Sequence, residues 1–288
     1  MTDENTKVDF ISSRVKDEAK VVDKNPWGDD KLDREKYAKP LTDLVSGTKA
    51  EPFCIAVDGE WGSGKTFFLE RWRAEFSKQG KAIYFNAWED DFHADPLTAI
   101  IGQLSDALVN GVLKEIRNSV KKNWGTLAAN AVLRYSGSGL TSNDFQTSAG
   151  KTVSEYLRAR RSIDTLRELL QELADATQEK TKKPLIFIVD ELDRCRPTFA
   201  IELLERVKHI VGVPGIVFVF GVNQKELEKS IKSIYGKIDA TDYLRKSFHI
   251  SITLPQAEAS KYCRHLIHKH EIYENIMKSV VHRSKYRN

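Results

Sequence analysis

One stretch of the chain, residues 53–66 with the sequence FCIAVDGEWGSGKT, constrains the fold more than any other. Its apolar run Phe53–Val57 has the length and the β-branched content of a buried strand. Three glycines follow, and after Lys65 and Thr66 apolar residues recur at the spacing of a helix. A strand, a glycine-rich loop and a helix around the pattern G-x-x-x-x-G-K-T predict a loop that binds phosphate groups.

The residue types in this loop suit a nucleoside triphosphate. Glycines leave room for phosphate oxygens to approach the backbone N–H groups, and the helix that begins near Lys65 adds the positive end of its dipole. Lys65 is expected to reach the β- and γ-phosphates, and the Thr66 hydroxyl is expected to bind Mg²⁺. We expect the nucleotide to contact the whole loop: Gly59, Glu60, Trp61, Gly62, Ser63, Gly64, Lys65 and Thr66. A chance match in a glycine-rich turn is the alternative, and the flanking strand and helix argue against it.

A second apolar run, near residues 184–189, ends in the acidic pair Asp190-Glu191. At the carboxyl end of a buried strand, Asp190 is expected to hold Mg²⁺, in part through water. Glu191 is expected to act as the catalytic base that polarises the attacking water. An acidic pair that only caps the following helix is the structural alternative. The complete phosphate loop upstream favours a magnesium-dependent site that hydrolyses a nucleoside triphosphate.

Other polar residues are weaker candidates. Asn223 follows the apolar run near 215–221. Its side chain would orient the γ-phosphate there, or Asn223 is an ordinary turn or helix-cap residue. Three arginines are candidates for stabilising transition-state charge, or are surface residues: Arg194, Arg196 and Arg245. A cluster near the end of the chain could bind a metal: Cys263, His265, His268 and His270. Because the sequence has no matching second group of ligands, the favoured interpretation is that these histidines lie separately on a basic helix.

Composition narrows the classes of protein. The 288 residues suit one large domain or two small ones, and the net charge of +4 is too small to imply a nucleic-acid binder. Three widely spaced cysteines argue against a disulfide framework and for a reducing, cytoplasmic location. No window approaches the roughly 18 apolar residues of a membrane-spanning helix.

Apolar runs of strand length alternate with helical patterns along the chain, which predicts an α/β fold with a parallel sheet. The expected strands lie near 53–57, 82–88, 184–189, 215–221 and 248–255, with one helix between the last two. We expect three regions: a polar lead at 1–26, a nucleotide-binding domain at 27–255 with a helical insertion at about 105–180, and a basic helical tail at 256–288.

The basic character of the chain is concentrated in that tail. Residues 256–288 hold seven Lys and Arg against three Glu, a surplus of four positive charges that equals the net charge of the whole chain. A solvated helix face is one interpretation. Docking to an acidic partner or to nucleic acid is the other, without further support in the sequence.

Several segments together resemble the KAP P-loop NTPases. They are GEWGSGKT (59–66), FNAWEDDFHADPL (85–97), VDELDRCRP (189–197), GIVFVFGVN (215–223), DYLRKSFHISITLP (242–255) and the lead-in DDKLDREKYAKPL (29–41). The combination of FNAW with DELDRC-x-P is far more specific than the phosphate loop alone.

The resemblance implies an additional-strand NTPase fold, in which another strand lies between the phosphate-loop strand and the Asp-Glu strand. It implies the same roles for Lys65, Thr66, Asp190 and Glu191. Many members carry transmembrane helices between the two motifs, whereas residues 105–150 here contain several charged side chains. Bacterial relatives without such helices are linked to phage exclusion and defence, which makes that role an expectation here.

Three functions compete. The first is an ATP-hydrolysing switch or regulatory NTPase. The second is a nucleotide-gated interaction module with little turnover, favoured by the short region after residue 255, and both would act on a protein partner or as a homo-oligomer. The third is a nucleotide or small-molecule kinase, against which the glutamate in DELDR argues because it suits the activation of water.

Overall fold

A computed structural model describes residues 25–48, 52–93, 95–135, 148–208 and 212–256, together with Ser260 and Cys263. Its strands are β1 (Phe53–Asp58), β2 (Lys81–Asn86), β3 (Leu185–Asp190), β4 (Ile216–Val222) and β5 (Ile250–Thr253). Its α-helices are α1 (Ala38–Gly47), α2 (Lys65–Phe76), α3 (Pro96–Val109), α4 (Trp124–Tyr135), α5 (Ser148–Thr181), α6 (Pro197–Arg206), α7 (Gln224–Tyr235) and α8 (Ala240–Ser247). Short 3₁₀ turns lie at Glu35–Tyr37, Lys114–Ser119 and Leu192–Arg194.

The five strands form one parallel sheet in the order β2-β3-β4-β1-β5. The α/β fold expected from the alternating pattern is therefore confirmed. Strand β4 pairs with β1 on one side and with β3 on the other. This is the additional strand that the resemblance implied between the phosphate-loop strand and the Asp-Glu strand.

The two central strands have nearly continuous apolar sequences because helices cover both faces of the sheet. Every residue of β3 and of β4 is buried. Alternate residues of β3 enter different cores: Phe187 packs in the cluster that contains Phe85 and Phe218, and Ile186 packs in the cluster that contains Trp72. The sheet thus separates two hydrophobic cores and holds its strand ends rigidly.

The register aligns the strand ends that matter for function. Asp58 at the end of β1 pairs with Val222, and Asp190 at the end of β3 pairs with Gly221. The loops after β1 and β3 therefore open at the same edge of the sheet, which is where open α/β sheets bind ligands.

The lead segment, residues 25–48, packs against α2. The Trp27 indole donates to Glu75 at 2.6 Å, and Arg71 makes two hydrogen bonds to Asp29, at 3.0 and 2.6 Å. The Trp72 indole donates to Thr42 at 2.9 Å. Pro40 lies in the first turn of α1, where proline is tolerated, and so does not split this helix.

The expected bounds of β2 and β5, and of the single helix expected between β4 and β5, were wrong. Strand β2 ends at Asn86 because Ala87–Asp90 form a turn in which the Asn86 side chain accepts from the Trp88 N–H. The segment before β5 is two helices, since Gly236 ends α7 at a positive φ and the Asp239 carboxylate caps α8. Strand β5 is only four residues long.

None of the helices in the described ranges is long and apolar enough to cross a membrane. The predictions for the first 24 residues, for the tail beyond residue 256 apart from Ser260 and Cys263, and for His265, His268 and His270 within it concern residues outside those ranges.

Candidate nucleotide-binding site

The loop between β1 and α2 has the shape that its glycines permit. Gly62 and Gly64 have φ values of +79° and +86°, in the region that favours glycine. A Cβ at Gly59 would lie 2.6 Å from the Ser63 hydroxyl, so a larger residue there would displace the Ser63 side chain. The helix α2 begins directly after Gly64, and its first N–H groups therefore face the loop.

Lys65 lies folded back over the loop. Its ammonium donates to the carbonyl of Gly59 at 2.7 Å and to that of Glu60 at 3.3 Å. Both acceptors are neutral carbonyls, so a phosphate with full negative charge would be a stronger partner at the same place.

Asp190, the last residue of β3, is buried with 1% of its surface exposed. Its Oδ1 accepts from the Glu191 N–H at 2.9 Å, and its Oδ2 accepts from the Tyr84 hydroxyl at 2.8 Å. Burial raises the pKa of Tyr84, and the Asp190 charge raises it further, so this phenol stays protonated and donates. A Cβ at Gly221 would lie 2.4 Å from Asp190 Oδ1. Only glycine leaves space for the carboxylate there.

Glu191 has a φ of +62°, which is unusual for a residue with a side chain. Its Oε1 accepts from the Thr66 hydroxyl at 3.4 Å, and its Oε2 pairs with Arg194 at 2.8 Å. Burial raises the pKa of the Glu191 carboxyl; Arg194 opposes this, and Asp190 and Asp193 reinforce it. Strained backbone of this kind occurs often at functional sites.

These groups share one cavity of about 210 Å³. Its lining residues are Trp61, Gly62, Gly64, Lys65, Thr66, Asp190, Glu191, Asp193 and Arg194. The fold thus brings together the phosphate loop and the acidic pair, although Thr66 and Glu191 are 125 residues apart in sequence. The Trp61 indole donates to Asp193 at 2.6 Å and so links the two sides of the cavity.

Other predicted residues lie outside this lining. Asn223 directly follows β4 and is buried at the start of α7, but its side chain does not cap that helix. Of the three arginines, Arg194 lines the cavity, whereas Arg196 binds the Asp91 carboxylate at 2.6 Å and Arg245 is exposed on α8. In the loop, Gly59, Glu60 and Ser63 do not line the cavity.

Sequence reasoning missed Asp193, which lines the cavity, and two residues next to the site, Tyr84 and Arg34. The Arg34 side chain donates to the Ser63 carbonyl, and only 1% of the Arg34 surface is exposed. Burial lowers the pKa of this guanidinium. The lead-in resemblance covered Arg34 without giving it a role, and Tyr84 precedes the FNAW segment by one residue. Strand order and packing, which periodicity does not show, place both beside the site.

The oxygen atoms at this end of the sheet fit a magnesium ion. Mg²⁺ prefers hard oxygen ligands, and in nucleotide sites it uses one or two protein groups besides phosphates and water. The Thr66 hydroxyl and the Asp190 carboxylate both line the cavity, and the only cationic side chains in its lining are Lys65 and Arg194.

Comparison with known proteins gives one family. The model for the KAP family P-loop domain matches residues 34–288. No curated protein matches the chain. Among solved structures, the Aeropyrum pernix ORC2 protein in its ADPNP-ADP complexes is similar at 16% identity and a TM-score of 0.45, covering 83% of this chain and 52% of that one. Its ADP form has 16% identity and a TM-score of 0.40, covering 83% and 51%. The chain spans about half the length of these structures.

Proposed function

This chain belongs to the KAP family of P-loop NTPases, and from that premise we propose that it binds ATP with Mg²⁺ and hydrolyses it as a switch or regulatory NTPase. The observation that supports this best is the contact between Thr66 and Glu191 across one cavity. This contact supports the proposal because one ligand in the cavity could then touch both the loop and a candidate base for water. Nucleotide binding is the general property of the family; ATP, Mg²⁺ and hydrolysis are the proposed particulars.

Each residue then has a role that follows from its chemistry. The backbone N–H groups of Gly59–Thr66 and the start of α2 bind the phosphates. Lys65 exchanges its carbonyl partners for the β- and γ-phosphates, and Thr66 and Asp190 hold Mg²⁺, which when bound neutralises phosphate charge. Glu191 accepts a proton from the water whose oxygen attacks the γ-phosphorus, while the bond between that phosphorus and the β–γ bridging oxygen breaks and ADP leaves. Asn223 remains a candidate for orienting the γ-phosphate, supported only by its place after β4.

The variant Glu191→Gln tests the proposal. It keeps the size of the side chain and removes the proton acceptor, so we expect ATP affinity to stay within about threefold while kcat falls by roughly 10² to 10⁴. Fluorescent-nucleotide binding and phosphate release measure the two quantities. The control is Glu226→Gln, which removes a carboxylate paired with Lys229 on α7. Hydrolysis that is unchanged in Glu191→Gln would exclude Glu191 as the base.

A second candidate function is a nucleotide-gated interaction module with little turnover. It is supported by the engagement of Glu191 with both Arg194 and Thr66, which leaves no carboxylate oxygen without a partner. Steady hydrolysis of about one per second or faster in the purified protein would argue against it. A pulldown with the Glu191→Gln protein in ATP would identify a nucleotide-dependent protein partner or a second copy of the chain. A role in phage exclusion stays a prediction from the resemblance.

A further inference from the structure

The Asp190 carboxylate is fixed by groups from three neighbouring strands. Strand β3 supplies the carboxylate and, just beyond its end, the Glu191 N–H; β2 supplies the Tyr84 hydroxyl; and β4 supplies the space at Gly221. Tyr84 pairs with Ile188 in the register of β2 and β3, and Asp190 lies two residues further along. Since side chains two residues apart share a face of the sheet, Tyr84 is a diagonal neighbour of Asp190.

We propose that Tyr84 is a positioning residue for Mg²⁺: its hydroxyl orients the Asp190 carboxylate toward the metal that accompanies the nucleotide. The inference rests on the proposed function and adds to it a residue outside the recognised motifs. A carboxylate oxygen has two lone pairs, so the bonds from Tyr84 and from the Glu191 N–H leave one on each oxygen for the metal or its water ligands.

The chemistry of the donor supports a positioning role. A lysine or arginine bound to Asp190 would cancel the charge that attracts Mg²⁺, whereas a neutral phenol fixes the orientation and keeps the charge. Tyr84 does not line the cavity, so it acts through Asp190 and does not touch the ligand. Outer groups of this kind typically contribute 10- to 100-fold to metal affinity.

The test is the variant Tyr84→Phe, which keeps the ring and removes one oxygen atom. Binding of a fluorescent, non-hydrolysable ATP analogue is titrated with Mg²⁺ and, separately, measured in a chelator. We expect the half-saturating Mg²⁺ concentration to rise about tenfold, while affinity in the chelator stays within about twofold. The matched control is Tyr243→Phe. It removes a hydroxyl that donates to the Glu205 carboxylate at 3.3 Å, and neither residue lines the cavity.

Two further variants separate loss of the hydroxyl from effects on folding and from effects that bypass Asp190. Tyr84→Met also lacks the hydroxyl and should raise the Mg²⁺ requirement by a similar factor, so the result does not depend on the folding of one variant. In an Asp190→Asn background, Tyr84→Phe should have no further effect on the Mg²⁺ requirement, because its action passes through that carboxylate.

The outcomes separate this inference from the proposed function. If the wild type binds nucleotide in a magnesium-dependent way and both Tyr84 variants have the same half-saturating Mg²⁺ concentration, the inference is overturned and the proposed function is not. If Tyr84→Phe raises the Mg²⁺ requirement equally in the wild-type and Asp190→Asn backgrounds, the inference is also overturned, because the hydroxyl would then act through the structure in general and not through Asp190. A wild-type protein that binds no nucleotide would overturn the proposed function, and the inference with it.

Discussion

Among single residues of the site, Glu191 combines an unusual backbone conformation with a carboxyl group whose pKa is raised. Its backbone is strained, and its pKa is raised chiefly by burial. The Arg194 charge opposes this rise most, and the Thr66 hydrogen bond opposes it less. A general base must be ionised to accept a proton, so a raised pKa places the acid limb of the activity profile above the range of an ordinary glutamate. Arg194 therefore determines, in part, how much of Glu191 is ionised.

The variant Arg194→Ala should move that acid limb to higher pH. Loss of the cation removes the larger of the two interactions that lower the Glu191 pKa; the Thr66 hydrogen bond remains, as do burial and the carboxylates of Asp190 and Asp193, which raise the pKa. The dependence of kcat on pH measures the shift, with the exposed Arg245→Ala as the control. A limb that stays in place or moves to lower pH would contradict the prediction. A fall of 10³ or more in the pH-independent kcat would instead assign Arg194 to transition-state stabilisation.

At the scale of elements, the lead segment is part of the site because Arg34 joins it to the phosphate loop. Four polar contacts tie residues 25–48 to α2 and to the loop, and the one from Arg34 reaches the Ser63 carbonyl. The Arg34 Nε has no hydrogen-bond partner among the described residues, so this guanidinium is buried with part of its hydrogen-bonding capacity unused. The bond to the Ser63 carbonyl therefore holds the lead segment against the phosphate loop.

Replacing Arg34 with Met should weaken both stability and nucleotide binding. The Ser63 carbonyl loses a charged donor, for which we expect a decrease of about 1–3 kcal/mol in the free energy of unfolding. The loop also loses a fixed point, so nucleotide affinity should fall. Chemical denaturation and nucleotide titration measure the two effects. The exposed Lys39→Met serves as the control and should change stability by less than about 0.5 kcal/mol. Wild-type affinity in Arg34→Met would show that the contact does not shape the loop.

The elements also show how far sequence reasoning reaches. Buried strands such as β3 and β4 were predictable because helices on both faces make their sequences continuously apolar. The phosphate loop and the acidic pair were singled out because their predicted chemistry needs particular residues at particular spacings. Tyr84 and Arg34 were not, since each depends on which elements become neighbours. The division between α7 and α8 was missed although Gly236 and Asp239 are ordinary helix end signals.

At the scale of the whole molecule, nucleotide binding should stabilise the fold through the loop. A ligand that binds only the folded state at a concentration of 100 times its Kd adds about 2.7 kcal/mol. We therefore expect an ATP analogue with Mg²⁺ to raise Tm by several degrees and Lys65→Ala to remove most of this rise. Calorimetry or thermal fluorescence measures it, with the exposed Lys229→Ala as the control. An equal rise in Lys65→Ala would place the nucleotide elsewhere.

The central position of β4 has a consequence for how the protein is made. Strand β4 pairs with both β1 and β3, yet it follows both in the chain. The phosphate loop and Asp190 therefore leave the ribosome before the strand that joins them, and neither is aligned with the other until residues 216–222 have been synthesised. Contacts between residues so distant in sequence form slowly, so the capacity to bind nucleotide should appear late in folding, after the helices between them.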